Sequence, residues 1–214
     1  MFVRINTQVT VEDLIKGMII QSGNDACVAL AEAIAGSEEN FAQMMNREAR
    51  RLGMTSTNFR NSTGMPDPEH YTTARDLAKL ATALIKEFPE EYKQYYSMKE
   101  FRYADITQPN RNRLLWSDPS VDGLKTGHTD AAGYCLISSA MRDQRRLLSV
   151  VLGTSSDAAR TSESLKLLNW GFLSYDAAVL YRKDQAISSL RVWKGSQNRI
   201  KAGFPHDFVL AVPK

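Results

Sequence analysis

Residues 134–153 read YCLISSAMRDQRRLLSVVLG, two apolar runs separated by the polar tetrapeptide MRDQ. Each run has the length of a buried strand, and a short polar connection between two such runs predicts an antiparallel hairpin. Helical patterns precede this hairpin and a further helical pattern follows it. The stretch therefore predicts an α+β fold, in which a helical layer packs against an antiparallel sheet.

Helices are expected on both sides of the hairpin. Four are predicted before it from capping residues, terminal glycines and apolar residues at helical spacing: 11–21, 24–36, 37–53 and 73–89. Three short segments follow: a helix EEYKQYY at 90–96 and strands KEFRYADIT at 99–107 and NRLLW at 112–116. A last helix is predicted over 158–172, and the tail from 188 to 214 resembles small strands joined by turns.

Composition narrows the class of protein. The chain has 214 residues, and Lys plus Arg exceed Asp plus Glu only 27 to 24, without a block of like charge, so no nucleic-acid surface is indicated. No apolar run approaches the ~20 residues that span a bilayer, and the first residues lack a signal-peptide pattern. Cys27 and Cys135 show no metal-ligand spacing; we interpret both as core thiols and expect no metal or cofactor.

Two short motifs contain residues that could carry chemistry. Lys125, Thr126 and Gly127 precede a buried run; a lysine there can mark a sheet edge, or the three residues can form a carboxylate-binding edge with exposed backbone N–H groups. Ser22-Gly23-Asn24 lies between two helices. Gly23 can end one helix while Asn24 caps the next, or the Ser22 hydroxyl can relay a proton while the Asn24 amide binds a peptide-like group.

Ser-x-Asn followed about a hundred residues later by Lys-Thr-Gly resembles two of the three signatures of penicillin-binding proteins and class A β-lactamases. The resemblance extends over GMIIQSGNDACVALAEAIAG, QPNRNRLLW and VDGLKTGHTDAAGYCL, and covers residues 1–172 and, more loosely, the tail. These stretches resemble the serine-type D-alanyl-D-alanine carboxypeptidases, the low-molecular-mass penicillin-binding proteins. Class A β-lactamases are a weaker match, because no glutamate here has asparagine four residues later.

The resemblance implies a hydrolase that removes the terminal D-alanine from peptidoglycan stem pentapeptides through an acyl-enzyme and is acylated by β-lactams. Such a protein contributes to the cell wall and cell shape from the bacterial periplasm, where it lies at the inner membrane through a C-terminal segment that this chain does not contain. No cofactor is implied. The predicted partners are the D-Ala-D-Ala end of the pentapeptide and β-lactams.

The resemblance also implies roles for eight residues. Ser22 would move protons during acyl transfer, Asn24 would hold the substrate amide, and Lys125 would act with them. The predicted substrate-binding residues are Thr126, which binds the terminal carboxylate with Lys125; Gly127; His128, whose N–H serves an oxyanion hole; Arg160, which attracts the carboxylate; and, more weakly, Arg111.

The third signature, Ser-x-x-Lys, is missing, since no serine in the chain has lysine three residues later. We therefore expect a chain truncated at both ends, with a partial catalytic domain over residues 1–187 and the start of a β-rich domain over residues 188–214. By itself such a chain is expected to be inactive. The alternative from another class is a non-catalytic domain that binds muropeptide ends.

Overall fold

Helices precede a three-stranded sheet in the first part of the chain. A computed structural model describes residues 1–4 and 6–214 and divides them into two compact units, Met1–Leu168 and Asn169–Lys214. The helices of the first unit are α1 (Val11–Gln21), α2 (Asn24–Ala35), α3 (Glu38–Arg51), α4 (Ala74–Glu87), α5 (Pro89–Tyr95) and α6 (Leu114–Ser117). A further helix, α7 (Asp157–Ser174), begins in the first unit and ends in the second.

The predicted helix ends are confirmed by the capping geometry. The side chains of Thr10, Ser37 and Thr73 each accept a hydrogen bond from the backbone N–H three residues later. Each therefore satisfies one of the N–H groups that the first turn leaves unpaired. Gly36 and Gly53 follow α2 and α3 with φ angles of 78° and 70°, the left-handed conformation that glycine adopts without a steric penalty.

The central hairpin is also confirmed. Strands β3 (Val121–Thr129), β4 (Gly133–Arg142) and β5 (Arg145–Thr154) form an antiparallel sheet in the order β3-β4-β5. Strand β4 is therefore central and β3 lies at an edge. The side of the sheet that contacts α4 and α5 buries Ala81, Tyr92 and Leu124 in one apolar cluster, which is the helix-on-sheet layering that the sequence predicts.

Neither of the two predicted short strands forms one strand: the first turns at Ala104 and Asp105, and the second is helical. KEFRYADIT forms a hairpin of β1 (Glu100–Tyr103) and β2 (Ile106–Pro109), but NRLLW contains the short helix α6. The side-chain oxygen of Asn110 accepts from the Asn112 N–H at 2.9 Å, and that of Asn112 accepts from the Leu114 N–H at 3.2 Å. These local bonds turn the backbone and replace the partners that a strand would need.

The second unit is built from two-stranded sheets. Strand β6 (Tyr175–Tyr181) pairs with β9 (Phe208–Pro213), and β7 (Ser188–Arg191) pairs with β8 (Arg199–Ala202). The small strands expected in the tail are present, whereas β6 is not predicted by the sequence pattern. A domain division between residues 187 and 188 remains a prediction. No described helix is long and apolar enough to span a membrane.

Candidate active site

Ser22 lies at the junction of two helices. It is the C-cap of α1 and has the left-handed backbone angles φ 55° and ψ 44°. Its neighbour Gly23 is the N-cap of α2, without a side-chain capping bond, so the expectation that Asn24 caps this helix is wrong. Asn24 is the first residue of α2 and its amide contacts the sulfur of Met65 at 3.7 Å. The backbone therefore makes this junction, and the Ser22 and Asn24 side chains do not cap it.

Lys125 reaches this junction from the edge strand β3. Its ammonium donates hydrogen bonds to the Ser22 Oγ and, at 2.6 Å, to the backbone carbonyl of Thr126. The first of these bonds joins residues that are 103 positions apart in the chain. The structure thus brings together the serine of Ser-Gly-Asn and the lysine of Lys-Thr-Gly.

The surroundings of Lys125 make its ammonium easier to deprotonate. Burial lowers the pKa of Lys125 to about 8; the Cys27 thiol acts in the opposite sense, and the charges of Arg111 and Arg160 lower the pKa further. A lysine with this pKa can accept and return a proton near neutral pH. The hydrogen-bonded Ser22 hydroxyl is the nearest group with which it can exchange one.

A cavity of about 440 Å³ opens beside this pair. Its polar residues are Ser22, Asn24, Cys27, Ser62, Thr63 and Lys125. Its apolar residues come from α1, α4, the C-cap of α5 and the sheet: Met18, Ile19, Leu77, Leu80, Ala81, Leu84, Tyr96, Leu124 and Ile137. The cavity therefore combines an apolar lining with a few convergent polar groups, as binding sites for small molecules usually do.

The two cysteines are free thiols, as expected, but the prediction that both are core residues is wrong. Cys27 and Cys135 are free but only partly buried, and Cys27 lines the cavity with Ser22 and Lys125. Burial raises the pKa of the Cys27 thiol, and the Lys125 charge opposes that effect. Its position three residues after Asn24, on the same face of α2, is the sequence signal that would have placed it here.

Ser62 and Thr63 are cavity residues that the sequence reasoning missed. They lie in an irregular loop that side chains of α3 and α4 hold in place. The Glu38 carboxylate accepts from the Ser62 hydroxyl at 2.6 Å, and the Asp76 carboxylate accepts from the Ser56 N–H at 2.8 Å. Burial alone would raise the pKa of Asp76. Hydrogen bonds from Lys79, Ser56 and Thr57 outweigh this effect and hold the pKa of Asp76 below its ordinary value.

The remaining residues of the Lys-Thr-Gly strand differ in exposure. Thr126 is buried and is not among the residues that line the cavity, whereas Gly127 and His128 are exposed. The His128 ring lies 4.0 Å from the Tyr134 ring, measured between centroids. A Cβ atom added to Gly127 would meet only the Cys135 Cβ, at 3.8 Å, so the strand surface is open at this position.

Of the two predicted arginines, Arg160 is buried and Arg111 is exposed. One terminal nitrogen of Arg160 donates to the carbonyls of Gly127 at 3.1 Å and Cys135 at 3.4 Å, and the other pairs with Asp157. The first nitrogen therefore joins α7 to β3 and β4, whereas the second pairs within α7 and the buried Nε has no hydrogen-bond partner among the described residues. Arg111 acts on the site through its charge, which contributes to the lowered pKa of Lys125.

Comparison with protein families gives two matches along the chain. The model of a family described as D-alanyl-D-alanine carboxypeptidase, peptidase S11, matches residues 1–156. A second model, described as the C-terminal domain of penicillin-binding protein 5, matches residues 175–214. Together they cover most of the sequence.

Individual relatives agree with these families. The chain is 46% identical over 215 residues to D-alanyl-D-alanine carboxypeptidase DacC of Escherichia coli, an alignment that covers 100% of this chain and 54% of that protein. The chain thus spans about half the length of the curated relatives it matches.

Solved structures give the same result. Penicillin-binding protein 5 of Haemophilus influenzae superposes with a TM-score of 0.93 at 45% identity, covering 100% of this chain and 62% of that one. Penicillin-binding protein D2 of Listeria monocytogenes, solved with ampicillin bound, has a TM-score of 0.71 at 34% identity and covers 77% of this chain and 68% of that one. The resemblance and the α+β architecture inferred from the sequence are confirmed, and the chain belongs to the peptidase S11 family of D-alanyl-D-alanine carboxypeptidases.

Proposed function

We propose that this chain forms the substrate-binding part of a serine-type D-alanyl-D-alanine carboxypeptidase. The observation that carries the proposal is the hydrogen bond from the Lys125 ammonium to the Ser22 hydroxyl, at a cavity that Asn24 also lines. The reaction is hydrolysis of the terminal D-Ala–D-Ala bond of a peptidoglycan pentapeptide through an acyl-enzyme. Family membership supplies the reaction class, and the geometry supplies the groups that would serve it.

In the proposed mechanism, proton transfer occurs between Ser22 and Lys125. Burial lowers the pKa of Lys125 to about 8, so Lys125 can take up the proton that the attacking hydroxyl loses and pass it to Ser22, which gives its own proton to the departing D-alanine amine. Asn24 holds the substrate amide. The carboxylate at the end of the substrate is attracted by the positive charges of Lys125, Arg111 and Arg160 and by the Thr126 hydroxyl.

Backbone N–H groups of the exposed end of β3 would stabilise the tetrahedral oxyanion. We assign this part to the N–H of His128, next to Gly127, where the open strand surface admits a ligand close to the backbone. β-Lactams carry a carboxylate and an acyl group in a similar arrangement. We propose that they bind at the same residues, as the ampicillin-bound relative suggests.

The carboxylate contact is tested by binding of an N-acetylated peptide ending in D-Ala-D-Ala, followed by NMR. We expect binding to the wild-type chain, and a loss of about tenfold or more in Lys125→Met, because a charge-assisted hydrogen bond is removed. The same peptide with an amidated C-terminus is the control and should bind as weakly. Equal binding of the acid and the amide would contradict the proposed role of this edge.

We also propose that this chain by itself binds the substrate without becoming acylated, because no serine has a lysine three residues later. Intact mass spectrometry after incubation with benzylpenicillin tests this point. The expected result is an unmodified mass. A covalent adduct would show that another serine acts as the nucleophile.

The missing Ser-x-x-Lys also favours a second candidate, a non-catalytic domain that binds muropeptide ends. Such a domain would need the carboxylate-binding edge of Lys125, Thr126 and Gly127, but it would not need proton transfer between Ser22 and Lys125. The two are distinguished by supplying the chain with a separately expressed Ser-x-x-Lys segment from a relative and measuring release of D-alanine. Release that depends on Lys125 supports the carboxypeptidase; binding without release under these conditions supports the second candidate.

The bacterial periplasm is the compartment we propose, since the proposed substrate is peptidoglycan and the relatives named above come from bacteria. Association with the inner membrane belongs to the same proposal. Fractionation of the source cells, with detection by an antibody against the first unit, would locate the protein. Recovery from the cytoplasmic fraction would contradict the assignment.

A further inference from the structure

A polar network holds the edge strand β3 just before Lys125. The Tyr92 hydroxyl of α5 donates to the Asp122 carboxylate at 2.8 Å, and Arg146 of β5 pairs with the same carboxylate at 2.8 and 2.7 Å. Arg146 also donates to the Ser139 hydroxyl of β4, so it extends over the central strand to reach the edge strand. One helix and all three strands therefore meet at Asp122.

Packing makes this arrangement tight. Tyr92 is 2% exposed, and the Arg146 guanidinium lies over its ring at 5.3 Å. A Cβ atom at Gly123 would come within 2.4 Å of the Tyr92 hydroxyl oxygen, so the bare backbone of Gly123 is needed for the phenol to lie against the strand. The register of β3 with β4 shifts at the same place, between Val121 and Gly123.

The network is next to the residues of the candidate active site. Leu124 shares one buried cluster with Tyr92 and Ala81, and Leu124 and Lys125 both line the cavity that contains Ser22. Strand β3 has a partner strand on one side only among the described residues. Side-chain contacts therefore supply much of the restraint on its position at Gly123 and Leu124.

We propose that Tyr92, acting with Asp122 and Arg146, is a positioning residue that holds β3 where the Lys125 ammonium reaches Ser22. None of the three residues lines the cavity, and they affect Lys125 only by fixing the position of β3. The inference rests on the proposed function in one respect, the role of the Ser22–Lys125 contact in proton transfer.

The electrostatic surroundings of Lys125 define what should change when the strand loosens. The charged and titratable groups that act on it come from three other elements: Cys27 of α2, Arg111 of the segment before α6, and Arg160 of α7. Burial is the largest influence and keeps the pKa of Lys125 low. If β3 is released, water reaches the ammonium and its pKa should return toward the ordinary lysine value.

The test is a pH titration of the full chain with ¹³C-labelled lysine, in which the Lys125 side-chain signal is assigned by its loss in Lys125→Met. In Tyr92→Phe and in Asp122→Asn we expect the Lys125 midpoint to move upward by about one pH unit. Tyr103→Phe is the matched control, since it removes the phenol oxygen of a partly buried tyrosine on β1. Its midpoint should equal that of the wild type.

Thermal unfolding of each variant is measured in parallel. A lower Tm with an unchanged Lys125 midpoint in both network variants would mean that the network only stabilises the fold, and the proposal would be overturned. An equal shift in Tyr103→Phe would overturn it too. Tyr92→Phe keeps the ring and loses one oxygen atom, so it provides a folded variant even where Asp122→Asn leaves Arg146 unpaired and unfolds the chain.

The same experiments separate this inference from the proposed function. If the wild-type chain does not bind the D-Ala-D-Ala peptide but the network variants shift the Lys125 midpoint, the proposed function fails and the positioning role stands. If the peptide binds and the Lys125 midpoint does not move in the network variants, the positioning role fails and the proposed function stands.

Discussion

At the scale of single residues, Lys125 combines a favourable hydrogen bond with an unfavourable environment. Its ammonium donates to Ser22 and to the Thr126 carbonyl, but burial lowers its pKa to about 8 from 10.5. A lysine whose folded pKa is lowered binds fewer protons in the folded state than in the unfolded state between these two values. Because the unfolded chain then holds the extra proton, stability increases with pH across that window.

The effect of replacing Lys125 on stability should therefore depend on pH. Below pH 8 the ammonium is charged in both states and its desolvation lowers stability in full, so Lys125→Met should have the higher free energy of unfolding. Between pH 8 and 10.5 the wild type should gain about 2–3 kcal/mol relative to Lys125→Met. Urea denaturation of both proteins at pH 7, 8, 9 and 10 measures the difference.

The control for this prediction is Lys93→Met, which removes a lysine from an exposed position on α5. The difference in free energy of unfolding between the wild type and Lys93→Met should not rise in the same way between pH 8 and 10.5. A Lys125→Met difference that stays constant over this range would show that the ammonium is not desolvated in the folded protein.

Ser164 supplies a second prediction. Its Oγ is fully buried and has no hydrogen-bond partner among the described residues. Replacing Ser164 by alanine removes the unpaired hydroxyl and leaves a side chain of similar shape, so the free energy of unfolding should increase by about 1 kcal/mol.

Ser162→Ala is the matched control, because Ser162 is exposed on the same helix and gains the same helix propensity. The difference between the two variants in urea denaturation removes the propensity gain and leaves two contributions, the buried Ser164 hydroxyl and the exposed hydrogen bond that the Ser162 hydroxyl donates to the Ala159 carbonyl at 3.1 Å. If Ser164→Ala is instead less stable than Ser162→Ala, a bound water satisfies the Ser164 hydroxyl in solution.

Not every residue of the candidate site follows from sequence. Ser22 and Lys125 are predicted to meet by the family resemblance, and the structure brings them into hydrogen-bond contact. Cys27 is missed although it lies three residues after Asn24 on the same face of α2. Ser62 and Thr63 are missed because their places on the cavity depend on the Glu38 and Asp76 hydrogen bonds that shape a loop. Contacts of this kind join distant residues and leave no local pattern.

At the scale of elements, the caps give the sharpest prediction. Ser37 accepts from the Asn40 N–H at 3.2 Å at the start of α3. Ser37→Ala should lower the free energy of unfolding by about 1 kcal/mol, and Ser37→Asp, which keeps the acceptor and adds a charge favourable to the helix dipole, should restore most of it. Urea denaturation measures both. Equal losses of stability in Ser37→Ala and Ser37→Asp would show that α3 is not stabilised by a side-chain oxygen at position 37.

The sequence predicts elements well where a local signal exists. Each long helix has a cap or a terminal glycine, and the β4–β5 hairpin has two apolar runs around a polar turn. It fails at α6, where Asn110 and Asn112 bond the backbone locally, and at β6, whose sequence YDAAVLY follows a helix without turn residues. Both failures concern short segments whose conformation is set by neighbouring side chains or by a partner strand far along the chain.

At the scale of the whole molecule, the proposed division between residues 187 and 188 can be tested by limited proteolysis. Arg182 and Lys183 lie in the exposed turn after β6. We expect the earliest tryptic cuts at these two residues, because exposed turns outside regular structure open at the lowest free energy. Mass spectrometry over a time course identifies the fragments. An earliest cut at Lys166, within α7, would contradict the division.

The left-handed backbone of Ser22 limits what can replace it. Only glycine, asparagine and aspartate adopt that conformation readily, and alanine there is strained by roughly 1 kcal/mol. A loss of activity in Ser22→Ala would therefore mix missing chemistry with a distorted helix junction, whereas Ser22→Gly removes the hydroxyl and relaxes the backbone. During evolution, substitution of Ser22 is therefore restricted to the few residues that adopt this backbone conformation without strain. The geometry that ends α1 thus narrows the evolutionary routes by which this site could lose or change its proton relay.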